Sequence, residues 1–162
     1  SMNNRAEAFW MKKGILGDTV PLELNAKELV HRNNKNSELT VYGYTPMMVS
    51  VQCVQKTMDH CNHACVQYVL KDRYQKEFRG VCSCEFCYNT IYNTLPTSLL
   101  KEKEKAEKLG VKAYRLSFTI ETQQETEKIV RAFVDVYLRG QKPDGQMQTE
   151  ETTKGHFQRG VE

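Results

Sequence analysis

The cysteines constrain this chain more than any other feature. All six fall between Cys53 and Cys87, as Cys53, Cys61, Cys65, Cys82, Cys84 and Cys87, in a sequence of 162 residues. Neither a basic start nor an apolar stretch opens the sequence (Ser1-Met2-Asn3-Asn4), so no secretory signal is read and the cytoplasm is the expected compartment. Thiols stay reduced there, and grouped cysteines then point to metal ligation or redox chemistry ahead of disulfides.

The tightest group is VCSCEFC (81–87). Within it Cys84 and Cys87 form a C-x-x-C, whose two-residue spacer lets both thiolates converge on one ion while the backbone turns around it. Cys82 is crowded out, and the opposing pair is drawn from Cys53, Cys61 and Cys65. The stretch separating Cys53 from Cys61 is looser than a zinc knuckle. Iron–sulfur clusters span a larger volume and tolerate unequal loops between ligands, so a cluster is the favoured reading. Zinc, and free or disulfide-bonded thiols, stay open as alternatives. His60 and His63 flank Cys61 and are read as exposed loop residues ahead of substitute ligands.

Around this segment the chain alternates strand and helix patterns. A helix is expected over 3–13, a strand over 18–24, and a helix over 26–32 behind Asn25, a good N-cap. Strands follow over 39–44 and 47–51, interrupted at Pro46, and 67–70 pairs with 78–81 as a short hairpin. A charged helix over 99–109 stops at Gly110, a strand follows over 112–120, and a helix over 123–138 carries the stripe Ile129, Val130, Phe133, Val136 and Tyr137. The expected division is a β/α segment over 1–52, a cysteine-rich insertion over 53–95, a second β/α segment over 96–140 and a polar, aperiodic tail over 141–162. Ser1-Met2 reads as a cloning scar and the ending as abrupt, so the expectation is an excised piece of a longer protein.

Such alternation builds parallel sheets, but three β/α steps are too few to close an eight-stranded barrel. The fold class expected is therefore α/β, a partial TIM-barrel-like fragment with an inserted cysteine-rich hairpin region. A hydrophobic share of 40% and a charged share of 27% suit a water-exposed globular domain, and no apolar run reaches the roughly 18 residues that span a bilayer. A net charge of +3 is too small to argue for nucleic-acid binding by itself.

Five separated blocks occur in one order: TPMMVSVQCVQK (45–56), LKDR (70–73), CEFCYNTIYN (84–93), YRLSFTIE (114–121) and GHFQRGV (155–161). Together they resemble peptidase family U32, over nearly the whole chain. The resemblance implies the later part of a TIM-barrel-like catalytic region, with the early strands upstream and further domains downstream. It carries a historical label of collagenase-like protease, while relatives of the RNA and ubiquinone-pathway hydroxylation type hold a [4Fe-4S] cluster through four cysteines. This chain looks closer to the ribosomal-RNA cytidine hydroxylase branch. By position, the resemblance implies Cys53, Cys61, Cys84 and Cys87 as cluster ligands; Cys65 and Cys82 depart from the pattern and leave a substituted ligand open.

A peptidase needs an activated nucleophile or a zinc-bound water with a glutamate partner, and the sequence offers no H-E-x-x-H and no thiolate set apart for attack. The RNA reading enlists Lys56, Arg73, Arg79, Lys112, Arg115 and Arg159 for phosphates and Tyr42, Tyr44 or Tyr88 for stacking, against ordinary surface charge. Arg115 and Glu121, and His156 with Arg159, are candidate substrate-binding residues; an Arg115–Glu121 ion pair and an idle tail are the plain alternatives. A zinc-stabilised binding module is the third reading. A half barrel leaves strand edges unpaired, so self-association, or pairing with the missing upstream half, is expected.

Overall fold

The computed structural model describes residues 1–59, 61–143 and 151–159. The chain divides into two compact units: one of Ser1–Gly43, Thr97–Phe118 and Thr122–Glu162, the other of Tyr44–Pro96 with Thr119–Glu121. Helices and two separate sheets make this a mixed α/β protein, and the described strands close no barrel. The boundary after Gly43 gives the strand before Cys53 to the cysteine-bearing unit, nine residues earlier than the composition shift suggests (53 minus 44).

In the first unit, α1 (Asn4–Lys12) starts at Asn3, whose side chain accepts from the Ala6 amide. A capping box of Asn25 and Glu28 starts α2 (Ala26–Val30), with both reciprocal hydrogen bonds made. The strand expected over 18–24 is only β1 (Asp18–Thr19), because 22–24 turn away into the N-cap of α2. β2 (Ser37–Gly43) lies parallel to β1 on one side and to β8 (Ala113–Ser117) on the other, while the short β7 (Thr97–Ser98) pairs antiparallel with its end. The parallel strands therefore run in the order β1-β2-β8; a helix follows β1 and β8 in sequence, whereas β2 runs directly into the second unit.

Leu100–Glu102 form a 3-10 turn before α4 (Lys103–Lys108), so the helix expected over 99–109 is regular only in its second part. Thr122 and Glu125 form a second capping box for α5 (Gln123–Phe133), which widens into a π-helical turn over Val134–Leu138, closed by the Arg139 amide on the Val134 carbonyl at 3.1 Å. Leu29, Leu39, Val41, Leu99, Leu100, Phe133 and Val136 are the centre of one apolar core. Val130, expected on the buried stripe, is instead exposed, while Ile129 and Tyr137 pack against the core. At Gly43 (φ +152°) a Cβ would stand 2.6 Å from the Ser117 carbonyl oxygen, so a side chain there would push β2 and β8 apart.

Two polar knots fasten this unit. Asp18 accepts from the Ser1 ammonium at 2.5 Å, from Ser37 Oγ at 2.6 Å and from Arg32 at 2.5 Å, and Arg32 also reaches Asn34 and Ser37. Burial works against ionisation there, yet these donors hold the Asp18 carboxyl well below the usual carboxylate range. Glu102, buried, takes Lys105 at 2.6 Å and is also paired with Lys154. The stretch expected as an idle tail is thus fastened at 151–159: the Ser98 amide donates to the Thr153 carbonyl at 2.8 Å and Phe157 enters the core. The rest of that expected tail, 144–150 and 160–162, lies outside the described residues.

The second unit is an antiparallel sheet ordered β3-β6-β5-β4, from β3 (Pro46–Ser50), β4 (Gln67–Lys71), β5 (Glu77–Ser83) and β6 (Tyr88–Tyr92). The expected hairpin is present and extends from Gln67↔Val81 to Lys71↔Glu77, turned by Asp72, whose carboxylate accepts from the amides of Tyr74 and Lys76. β6, which zips β3 to β5, has no counterpart in the sequence reading. Pro46 opens β3 at the sheet edge, where a missing N–H does least harm.

Candidate metal centre

Strand alternation sorts the cysteines of β5. Cys82 shares a face with Gly80 and is fully buried; Ser83 points the other way, and Cys84 falls just past the strand end, half-buried. The Cys82 thiol donates to Asn89 Oδ1 at 2.9 Å, and Asn89 donates through Nδ2 to the Gln52 carbonyl at 2.8 Å. Buried on β6, Asn89 thereby ties the sheet to the chain leading into Cys53.

Cys53 is buried at the N-cap of α3 (Val54–Thr57). The backbone amides of Lys56 and Gln55, the Cys82 thiol and the Lys56 charge lower its thiol below the ordinary value against the cost of burial. Cys82 moves the other way: burial raises it first, and the neighbouring Cys53 raises it further. Both thiols are buried, and their shifts run in opposite directions, up at Cys82 and down at Cys53.

Cys84 joins this pair to the loop over 61–66. Its thiol donates to the Ala64 carbonyl at 2.7 Å, and Gln55 from α3 donates to the same carbonyl at 3.3 Å. Burial pushes the Cys84 thiol up, and the thiols of Cys65, Cys82, Cys53 and Cys61 add to the shift in that order. Cys87 does not join them: exposed, with φ +53°, it turns back on the Cys84 carbonyl at 3.7 Å. Of the expected ligands Cys53, Cys61, Cys84 and Cys87, the first three share one neighbourhood, and Cys65 and Cys82 stand in it as well. All six cysteines are free thiols, and among the described residues no three His, Cys, Asp or Glu side chains are close enough to hold a metal ion. His60 lies outside the described residues; His63 is exposed, with φ +58°.

The sequence reading missed Tyr68, Asn89 and Gln55. The Tyr68 hydroxyl is buried without a hydrogen-bond partner, and burial, then Cys82 and Cys53, raise its pKa. Its ring lies over Gly80, the residue opposite it in β5, where a Cβ would come within 2.2 Å of the ring. An isolated glycine in a strand pattern signals such a close approach, so Gly80 was the available clue.

The candidate substrate residues are dispersed. Arg115 pairs at 2.5 Å with Glu38, whose carboxyl is lowered first by the Thr19 hydroxyl and then by Arg115. Glu121 accepts from the amides of Thr119 at 2.7 Å and Ile120 at 3.0 Å, so its carboxylate caps its own loop, with the second oxygen buried and unpartnered. His156 and Arg159 are exposed beside the buried Phe157. Tyr42 and Tyr44, offered for base stacking, are buried; Tyr88 is accessible. No described helix is long and apolar enough to cross a membrane. Comparison of the chain with protein-family models, with curated proteins and with solved structures gives no match.

Proposed function

We propose that the Tyr44–Pro96 unit is an iron–sulfur module, holding a [4Fe-4S] cluster by four thiolates, within a U32-like protein that hydroxylates RNA, with ribosomal-RNA cytidine as the implied target. The observation that carries this reading is geometric: Cys84 donates to the Ala64 carbonyl of the loop that bears Cys61 and Cys65, beside the buried thiols of Cys53 at the α3 N-cap and Cys82 on β5. The donor set fits in kind, being all sulfur, and Cys61 and Cys65 sit on a segment without helix or strand that is able to adjust around a centre. Cys53, Cys61 and Cys84 would ligate, with the fourth thiolate from Cys87 or Cys65. When bound, such a centre supplies electron transfer and cross-links the loop to the sheet.

The parallel order β1-β2-β8, with helices after β1 and β8, supports a partial TIM barrel, the resemblance assigning the earlier strands to a preceding segment. The cysteine unit is inserted at the C-terminal end of β2, the strand end at which barrel enzymes carry their chemistry. A zinc-stabilised binding module is the second reading, favoured by the same all-thiol donors. Collagenase-like proteolysis has less support, since Cys53, whose thiol is lowered, has backbone amides and Cys82 as its partners and no histidine partner among the described residues.

Anaerobic purification followed by metal and sulfide analysis tests the proposal. About four iron and four sulfide per chain, with broad visible absorption, is the expected result. About one zinc and no sulfide replaces it with the structural module, and metal-free, colourless protein after anaerobic iron and sulfide reconstitution overturns both.

A further inference from the structure

The sheet of the second unit has two faces. One carries Cys82, Asn89 and Ile91, all buried. On the other, alternation aligns Val49 of β3, Thr90 and Tyr88 of β6, Val81 and Arg79 of β5 and Val69 of β4, through the pairs Val49↔Thr90, Val81↔Thr90, Ser83↔Tyr88 and Val69↔Arg79. This face is open: Val49 is 63% exposed and Val69 52%.

Two further features make it more than an apolar sheet. Phe86, 70% exposed in the turn before β6, stacks on Tyr88 with ring centroids 6.3 Å apart and planes 27° from parallel. The hairpin is also cationic: Lys71, Arg73, Lys76 and Arg79 stand against Asp72 and Glu77, a net +2 (4 minus 2). Both acids are engaged, Glu77 with Lys71 at 3.0 Å and Asp72 with the turn amides, so Arg73, Lys76 and Arg79 have no carboxylate partner among the described residues, and Arg73 lies over the Tyr74 ring at 4.7 Å. From Arg79 to Ser83, the partner of Tyr88, the strand runs four residues, about 13 Å.

An exposed Phe86 ring stacked on the half-buried Tyr88, beside these cations, suits a partner with flat bases on an anionic backbone; a partner protein's apolar surface would leave those cations uncompensated. We propose that this open face binds single-stranded RNA, with bases stacking on Phe86 and Tyr88 and phosphates meeting Arg79, Lys76 and Arg73. The choice of RNA over single-stranded DNA rests on the functional reading above; the surface itself does not depend on it.

Fluorescence anisotropy of a labelled ten-nucleotide oligouridylate against the full chain, at two salt concentrations, tests this. Tyr88→Ala weakens binding by about 5-fold to 100-fold, Tyr88→Phe restores it, and Arg79→Gln weakens it while lowering the slope of log affinity on log salt by about 0.7. Wild-type affinity in both Tyr88→Ala and Arg79→Gln overturns the proposal, as does equal competition by duplex RNA or a polyanion without bases. Should Tyr88→Ala fail to fold, Arg79→Gln decides, since the Arg79 side chain is exposed. Iron analysis of the same samples separates the two claims: iron-free protein that binds RNA overturns the cluster alone, and iron-loaded protein that does not bind overturns this face alone.

Discussion

The unit built on β1, β2 and β8 and the unit built on β3 to β6 are both sheets of four strands, yet they are held by different means. The first buries aliphatic and aromatic side chains from α2, β2, α4 and α5 and the turns beside them around Leu29, Val41 and Leu100. The second buries Tyr44, Cys53, Cys82, Ile91 and Ile120, two of them thiols, and leaves Met47, Met48, Val49 and Val51 exposed along a single edge. A unit this short of apolar core needs another source of stability, and a bound inorganic centre is the usual one in small cysteine-bearing domains. The comparison teaches that the thiols stand where a core would otherwise be.

The strongest way to break that comparison is to remove the ligands. Cys84→Ser with Cys87→Ser is expected to abolish bound metal and hydrogen-exchange protection of the β5 amides while β2 amides stay protected; unchanged metal content and protection in β5 would mean that the thiols do not organise the unit. Next comes the apolar side. Leu29→Ala is expected to lower the denaturant stability of the first unit by about 2–5 kcal/mol, through lost burial and the cavity left behind, and a cost near zero would remove the distinction drawn here. Third, Gly80→Ala forces the Tyr68 ring off β5 and is expected to destabilise only the hairpin, by about 1–3 kcal/mol, read as faster exchange of β4 amides.

A smaller effect concerns pH. The Asp18 carboxyl is held below its ordinary value in the folded chain, so the stability it contributes is fully present above that ordinary value and is lost as pH falls below it. Acid titration of melting temperature is therefore expected to fall less steeply in Asp18→Asn than in the parent chain, and parallel curves would show that the knot with Arg32 contributes nothing. The smallest expected change is Val49→Thr on the open sheet face, within about 0.5 kcal/mol; a larger loss would mean that this face is covered.

Much of the first unit was legible because its elements announce themselves locally. Asn25 and Thr122 precede glutamates at capping-box spacing, and the alternation around β2 and the stripe of α5 carry the buried residues Leu39, Val41, Phe133 and Val136. Less was legible where non-local contacts decide. β1 is cut to two residues by the turn into α2, and β6 hides in a run whose polar Asn89 is buried because its amide bridges Cys82 and the chain before Cys53. In the candidate site the sequence singles out the cysteine segment and the C-x-x-C, but spacing alone treats Cys61 and Cys65 alike and sets Cys82 aside.

What the sequence by itself determined is the class of elements, their caps and the crowding of six thiols into one segment, since these follow from residue type and short-range spacing. Only the tertiary structure decided that Cys82 lies inside with Cys53, that Cys84 reaches the Ala64 carbonyl beside Cys65 and that Cys87 turns outward. The reason is physical: which face of a strand a side chain occupies depends on register, and register is fixed by partners distant in the chain.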